Sequence, residues 1–314
     1  MIQKIFTLSF LLLTSHFLFA QKEKDSIVKV NENYITLSEI VINKNLDVAS
    51  FIEKVKNDTT FYKAFRNLHI LGYTADNNIV MQNKDGNTQA SLKSKTQQIR
   101  SGNCREMNVL HQKVTGDMFD KKGDFNYYTA QMYAGLFFTK DSVCGENNIV
   151  KGYEFSTTGL NGIEKHKEQL KMLFFDPGKK INGLPFISNK TEIFDPSMAG
   201  NYDMYIDYRN YDSIPCYVFT ITVKNNKRKS VVIDDMTTWF NSKTFEVVAR
   251  NYVLGYDAGV YDFKVKMEVK MAKVGNLLVP YFLHYNGNWK VIFNKRERGV
   301  FTATLSDFVS HESH

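Results

Sequence analysis

The residues of this chain able to carry chemistry are three cysteines, six histidines beyond residue 20, and a few close-set acids. Cys104 and Cys144 stand in polar, turn-like contexts (SGNC and VCGENN), whereas Cys216 sits in an apolar run. In an oxidising compartment an odd number of cysteines divides most simply into one disulfide and one buried thiol, which makes Cys104–Cys144 the expected bridge. A catalytic thiol is the alternative. The spacings match neither a zinc ribbon nor a redox CxxC.

No two histidines have metal-ligand spacing on one predicted element, and His166 in KHKEQLK reads as solvated helix surface. Asp234 and Asp235 are adjacent, so on a regular strand they point to opposite faces and cannot serve one substrate as acid and base. Asp203 and Asp207 share a strand phase with Tyr205 and Arg209, the wet side of a sheet. A phosphate loop, HExxH and GxSxG are all missing from the sequence. No cofactor or metal is therefore expected. Enzyme activity, a hydrolase for example, stays open, with the lack of a nucleophile beside a base weighing against it.

What stands out instead is apolar bulk: 24 Phe, 17 Tyr and 11 Met, many on predicted inner faces. An ordinary filled core accounts for this. The functional version is a sheet enclosing a greasy cavity under helices, with Phe51, Ile52, Phe65, Leu170, Met172, Leu173, Phe174 and Phe175 as the lid residues lining it.

These residues need elements to position them. Residues 1–20 have one lysine, an apolar stretch from Ile5 to Leu13 and Ala20 before a charged run, the order of a secretory signal peptide. That stretch is too short to span a bilayer of roughly 20 residues, and no cysteine near Ala20 offers a lipid anchor. The expected organisation is a signal peptide over 1–20, an arm over 21–45, one β-rich domain over 46–308 and a tail over 309–314. An exported protein, periplasmic or outer-envelope associated and without a transmembrane segment after cleavage, follows. The net charge of +7 is spread along the chain, and the clusters KNNKRK (224–229) and KRER (295–298) read as turns, not as a nucleic-acid footprint.

Helical periodicity places Val48, Phe51, Ile52 and Val55 on one face after a cap at Asn45 or Asp47, and a second helical piece at 59–67. A helix over 161–175 is stopped by Asp176-Pro177-Gly178. Strands are expected near 68–75, 78–84, 88–99, 106–115 and 124–139, and over Ile35–Ile42. Strict alternation over 261–271 marks a half-exposed antiparallel strand. Asn225-Asn226, Ser242-Lys243 and Asn286-Gly287 are expected turns of a meander. The fold class is mainly β (α+β): a curved antiparallel sheet or open half-barrel with a helical lid.

The order of helix 46–57, strands 68–115, helix 161–175 and the strand-turn-strand phrase MTTWFNSKTFEVV (236–248) resembles the LolA/LolB-like lipoprotein-carrier half-barrel. The chain also looks like exported Bacteroidetes-type proteins of unknown role, through KHKEQLK and KRERGVFTATL, a likeness over most of 35–308 that brings no activity. The first resemblance implies an envelope-located binding or carrier protein whose ligand is a lipid, a lipoprotein acyl chain or another apolar molecule. The alternative is a structural module that docks an envelope protein partner through its open sheet edge or N-terminal arm.

Overall fold

The computed structural model describes residues 25–150, 172–181, 187, 190–257, 261–291 and 296–310. The expected signal peptide, His166, Leu170 and the last four residues lie outside them. Thirteen strands form one sheet. In chain order they are β1 (Ser26–Val30), β2 (Asn33–Leu37), β3 (Leu71–Gln82), β4 (Thr88–Ser101), β5 (Cys104–Thr115), β6 (Val143–Cys144), β7 (Tyr202–Tyr211), β8 (Ile214–Val223), β9 (Ile233–Asn241), β10 (Val247–Asp257), β11 (Tyr261–Val274), β12 (Leu277–Val291) and β13 (Glu297–Ser310). Their spatial order is β1-β2-β7-β8-β9-β10-β11-β12-β13-β3-β4-β5-β6. Strands β7 to β13 form a meander, and β13 then pairs antiparallel with β3. The β2–β7 pair is parallel, and the other pairs are antiparallel. The sheet is open, with β1 at one edge and β5 with the short β6 at the other.

Period-2 alternation decides which face is covered. On β11, Phe263, Val265, Met267, Val269 and Met271 are buried while Lys264 and Lys266 are exposed. Against the apolar face lie α1 (Glu39–Asn43), α2 (Val48–Asn57), α3 (Thr60–Asn67), α4 (Tyr128–Phe137) and the helical residues 172–175. Asp47 caps α2 by accepting from the Ser50 amide at 3.0 Å, and α2 then buries Phe51, Ile52 and Val55. Phe51 meets the rings of Tyr217, Phe219 and Phe240 on β8 and β9.

Several local expectations are corrected. Residues 128–137 form a helix, not part of a strand over 124–139. Its amides at Tyr128 and Thr129 donate to the Glu297 carboxylate at 2.9 and 2.7 Å, so the cap comes from a strand 168 residues away. Ile35–Ile42 is not one strand: β2 ends at Leu37, and α1 takes Ile40 to Ile42. The break expected within 68–84 is absent, because Asn77 points inward and donates to Thr96 Oγ1 at 3.1 Å, which satisfies a buried amide inside a continuous β3.

Asn286-Gly287 is no turn either. It lies mid-strand in β12, where the Tyr285 phenol, which accepts from Trp289 Nε1, folds over Gly287. A Cβ on Gly287 would sit 1.9 Å from Tyr285 Oη. Since Tyr285 is itself buried and stacked on Phe301 at 4.4 Å, it has nowhere to retreat. Gly287→Ala is therefore expected to cost about 1–3 kcal/mol of overpacking, read as a lowered urea midpoint at unchanged m.

Candidate functional site

At the β3–β5 end of the covered face α3 stops, the chain makes a 3-10 turn over Leu68–Ile70, and a cavity of about 200 Å³ opens beneath it. One half is apolar, formed by Phe65 of α3, Leu136 and Phe137 of α4, and Phe175. Phe65 and Phe175 meet at 4.6 Å, and Phe137 approaches Phe175 edge-on. The other half is polar, formed by Arg66, His69, Gln98 and Arg105.

The polar half is held rigidly. Gln98 donates from Nε2 to the Leu68 and Leu71 carbonyls, both at 2.7 Å, and its Oε1 accepts from Arg105 Nη1 at 3.1 Å. Arg105 also donates to Thr139 Oγ1 and, from Nε, to Glu146 Oε2. His69 Nδ1 lies 2.9 Å from Glu146 Oε1. Burial pushes the Glu146 carboxyl up, but hydrogen bonds from His69 and Arg105, with their charges, outweigh it and hold the group at about 2. Burial pushes the Tyr73 phenol in the wall up to about 12, so it stays neutral.

The Cys104–Cys144 disulfide explains how Glu146 arrives. It fastens β6 to the start of β5, next to Arg105, and Glu146 follows two residues beyond the bridge. Arg66 Nη2 donates to the Asn147 carbonyl at 2.8 Å, and Asn148 donates to Asn67 Oδ1 at 2.8 Å, which fixes the rest of this strap. The third cysteine, Cys216, is buried in β8 and donates to the Ile214 carbonyl at 3.3 Å. Burial raises its pKa, which disfavours the thiolate.

The expected lid residues divide by place. Phe51 and Ile52 pack α2 on the sheet, and Met172, Leu173 and Phe174 are core, with Phe174 against Tyr285 and Trp289. Phe65 and Phe175 line the cavity. Leu170 is not among the described residues. Sequence reasoning passed over Arg105 and Glu146, although each lies within two residues of a cysteine expected to be bridged, a signal that could have paired them.

Asp234 and Asp235 also depart from expectation. The register slips between Val253 and Leu254, so Asp235 faces Val253 while Leu254 faces Ile233, which makes Asp234 the extra residue of a bulge. Asp234 Oδ2 would lie 3.2 Å from a Cβ on the outward position Gly255, and Asp235 accepts from Thr222 at 3.0 Å. Both carboxylates thus reach one shallow outer depression, shared with Arg228, Lys264 and Lys266. Among the described residues no group of three or more His, Cys, Asp or Glu could hold a metal, and no helix is long and apolar enough to cross a membrane.

No protein-family model matches the chain, and no curated protein matches it. Among solved structures it is similar to a DUF1329 family protein from Desulfovibrio piger, at 11% identity and a TM-score of 0.28, covering 83% of this chain and 94% of that one. It is also similar to a candidate outer membrane lipoprotein-sorting protein domain from Vibrio parahaemolyticus, at 6% identity and a TM-score of 0.26, covering 84% and 92%. These likenesses carry no residue correspondence, and the functional reading rests on the cavity alone.

Proposed function

We propose that this chain is an exported, envelope-located binding protein for a small single-chain amphiphile with an anionic head. The observation that carries the reading is the division of one cavity into an aromatic half (Phe65, Leu136, Phe137, Phe175) and a polar half (Arg66, His69, Gln98, Arg105). An apolar wall with a few fixed polar groups is the usual composition of a ligand site. At the polar end Arg66 and Arg105 supply two guanidiniums, and among the described residues the one ion pair they make is that of Arg105 with Glu146. The excess of cation favours an anionic head group, and a guanidinium suits a carboxylate geometrically.

Size narrows the ligand. A volume of about 200 Å³ lies below the roughly 300–1,000 Å³ usual for small-molecule pockets. That is room for the end of one chain and not for a multiply acylated lipoprotein anchor. Beyond Leu136, Phe137 and Phe175 the core around Tyr133, Tyr285 and Phe301 leaves a gap of only about 10 Å³, so a longer chain would have to displace those side chains. The disulfide agrees with an oxidising compartment.

The test is calorimetric titration of the full chain with octanoate and with octanol. Saturable binding of octanoate, weaker binding of octanol, and a loss of at least tenfold in Phe175→Asp are expected, with Phe51→Leu as the core control that retains binding. Unchanged octanoate binding in a folded Phe175→Asp protein would overturn the cavity assignment, and equal binding of the two probes would overturn the anionic head.

A further inference from the structure

We propose that the β4–β5 hairpin docks the protein on an anionic lipid surface. Two independent properties coincide on it. Residues 88–115 contain five basic residues and one acidic one, a net +4 out of +7 for the whole sequence. The same hairpin carries four exposed large apolar side chains, Ile99, Val109, Leu110 and Val114, with Val109 57% and Leu110 54% exposed.

The arrangement of the charge is unusual. On the outer face Lys93 of β4 lies directly opposite Lys113 of β5, and Lys95 lies opposite His111. Like charges placed opposite one another destabilise a sheet. Asp76 of β3 is across from Lys95, yet among the described residues none of these three lysines makes an ion pair within 4 Å. A surface that keeps cations together at a cost to the fold is complementary to something anionic.

The apolar residues point to a lipid surface more than to a soluble polyanion. A register slip between Lys95 and Thr96 leaves Leu110 as the unpaired residue of a bulge, beside Val109. Beyond Arg105 the outer edge of β5 has no strand partner among the described residues, because β6 pairs only with Cys104 and Arg105. Lysine is also used to blunt exposed sheet edges. Here, however, two of the three lysines lie one strand inward, on β4, and the edge strand keeps its exposed apolar side chains. Val109 and Val114 pair with Thr96 and Leu92 on the covered face while Lys113 and His111 take the outer one, so apolar and basic side chains meet along the edge of β5, the composition for an edge-on approach to an anionic interface. The hairpin also supplies Gln98 and Arg105 to the cavity, from the face opposite the lysines.

The experiment is flotation of the full chain with vesicles of phosphatidylglycerol and phosphatidylcholine, and with phosphatidylcholine alone, without cavity ligand. Binding to the anionic vesicles only, weakened by salt, is expected. The triple variant K93E/K95E/K113E should lose on the order of a hundredfold in vesicle affinity, and V109S/L110S should reduce binding at unchanged charge. Octanoate binding should be unchanged in both, so failure here and failure of the cavity reading are distinguishable. Wild-type protein that ignores anionic vesicles, or binds both vesicle types equally, overturns the proposal. So does a folded triple variant that floats like wild type. A wild type that elutes as a dimer and does not float would assign the edge to a second copy instead.

Discussion

Arg250→Ala is expected to lose about 3–5 kcal/mol of folding stability, the usual result of removing one partner from a buried ion cluster. Arg250 stands on the covered face of β10 and is 5% exposed. Its Nε donates to Thr238 Oγ1 at 3.0 Å, Nη2 lies 3.6 Å from Asp58 Oδ2, and the guanidinium sits 4.2 Å over the Phe61 ring. Asp58, between α2 and α3, uses its other oxygen to accept from the Thr60 amide at 2.9 Å and hydroxyl at 2.6 Å. Lys179 donates to the Val55 and Lys56 carbonyls at the end of α2. The cluster thus ties α2, α3 and residues 176–179 to the sheet, and losing the guanidinium strands the Asp58 charge. Arg250→Lys should rescue little, because an ammonium cannot reach Thr238, Asp58 and the Phe61 face together. The double variant Arg250→Met with Asp58→Asn should lose less than Arg250→Ala, since asparagine keeps the cap and leaves no buried charge. Urea unfolding of the three variants is the measurement, and a loss under about 1 kcal/mol in Arg250→Ala would mean the clamp is not there.

The second large effect is a dependence of stability on pH set by Asp176. This residue is 3% exposed at the end of the 172–175 helical turn, where its amide donates to the Met172 carbonyl at 2.9 Å. Burial pushes its carboxyl from the ordinary 3.8 up to about 7, against the pull of Lys179 and Arg250 and with help from the Asp58 charge. Between those values the folded protein holds a proton that the unfolded chain has released. Stability from this group is therefore complete below about pH 4 and is lost as pH rises through about 7. The expected loss is a few kcal/mol, since each tenfold change in proton affinity between the folded and unfolded chain is worth about 1.4 kcal/mol. Asp176→Asn should match wild type near pH 4, exceed it at about pH 8 and flatten the slope between. Urea midpoints across that range decide it, and parallel profiles would sink the assignment. Glu146 acts in the opposite sense, with its folded value lowered from 4.5 to about 2, so its contribution holds above about 4.5 and disappears only in stronger acid.

Much of the scaffold could be read from local order. The alternation Phe263, Val265, Met267, Val269, Met271 fixes which face of β11 is buried, because strand side chains alternate strictly. Asp47 and the i, i+3, i+4 spacing of Val48, Phe51 and Ile52 give α2 its start and its buried face. The polar contexts of Cys104 and Cys144, set against the apolar run around Cys216, pointed to the bridge that the fold contains. In each case the cause lies within a few residues of the effect.

Where the cause is remote, local order misleads. Helix α4 has an aromatic sequence that suits a strand, and its first amides are satisfied by Glu297 on β13. Gly287 resembles a turn residue because glycine commonly supplies turns, yet it is needed where the Tyr285 phenol must lie against the backbone. Asp234 and Asp235 share a face only because β9 bulges against β10. The cavity itself takes Phe65, Gln98, Arg105, Phe137 and Phe175 from five separate segments, and no periodicity links them. The sequence by itself determined most of the strands, such as β11, and the covering helices α2 and α3, set by propensity, capping and side-chain periodicity, and it pointed to the disulfide through the contexts of its cysteines. Only the tertiary structure decided which apolar side chains fill the core and which leave space beside a cation, because that depends on how distant elements fail to close completely against one another.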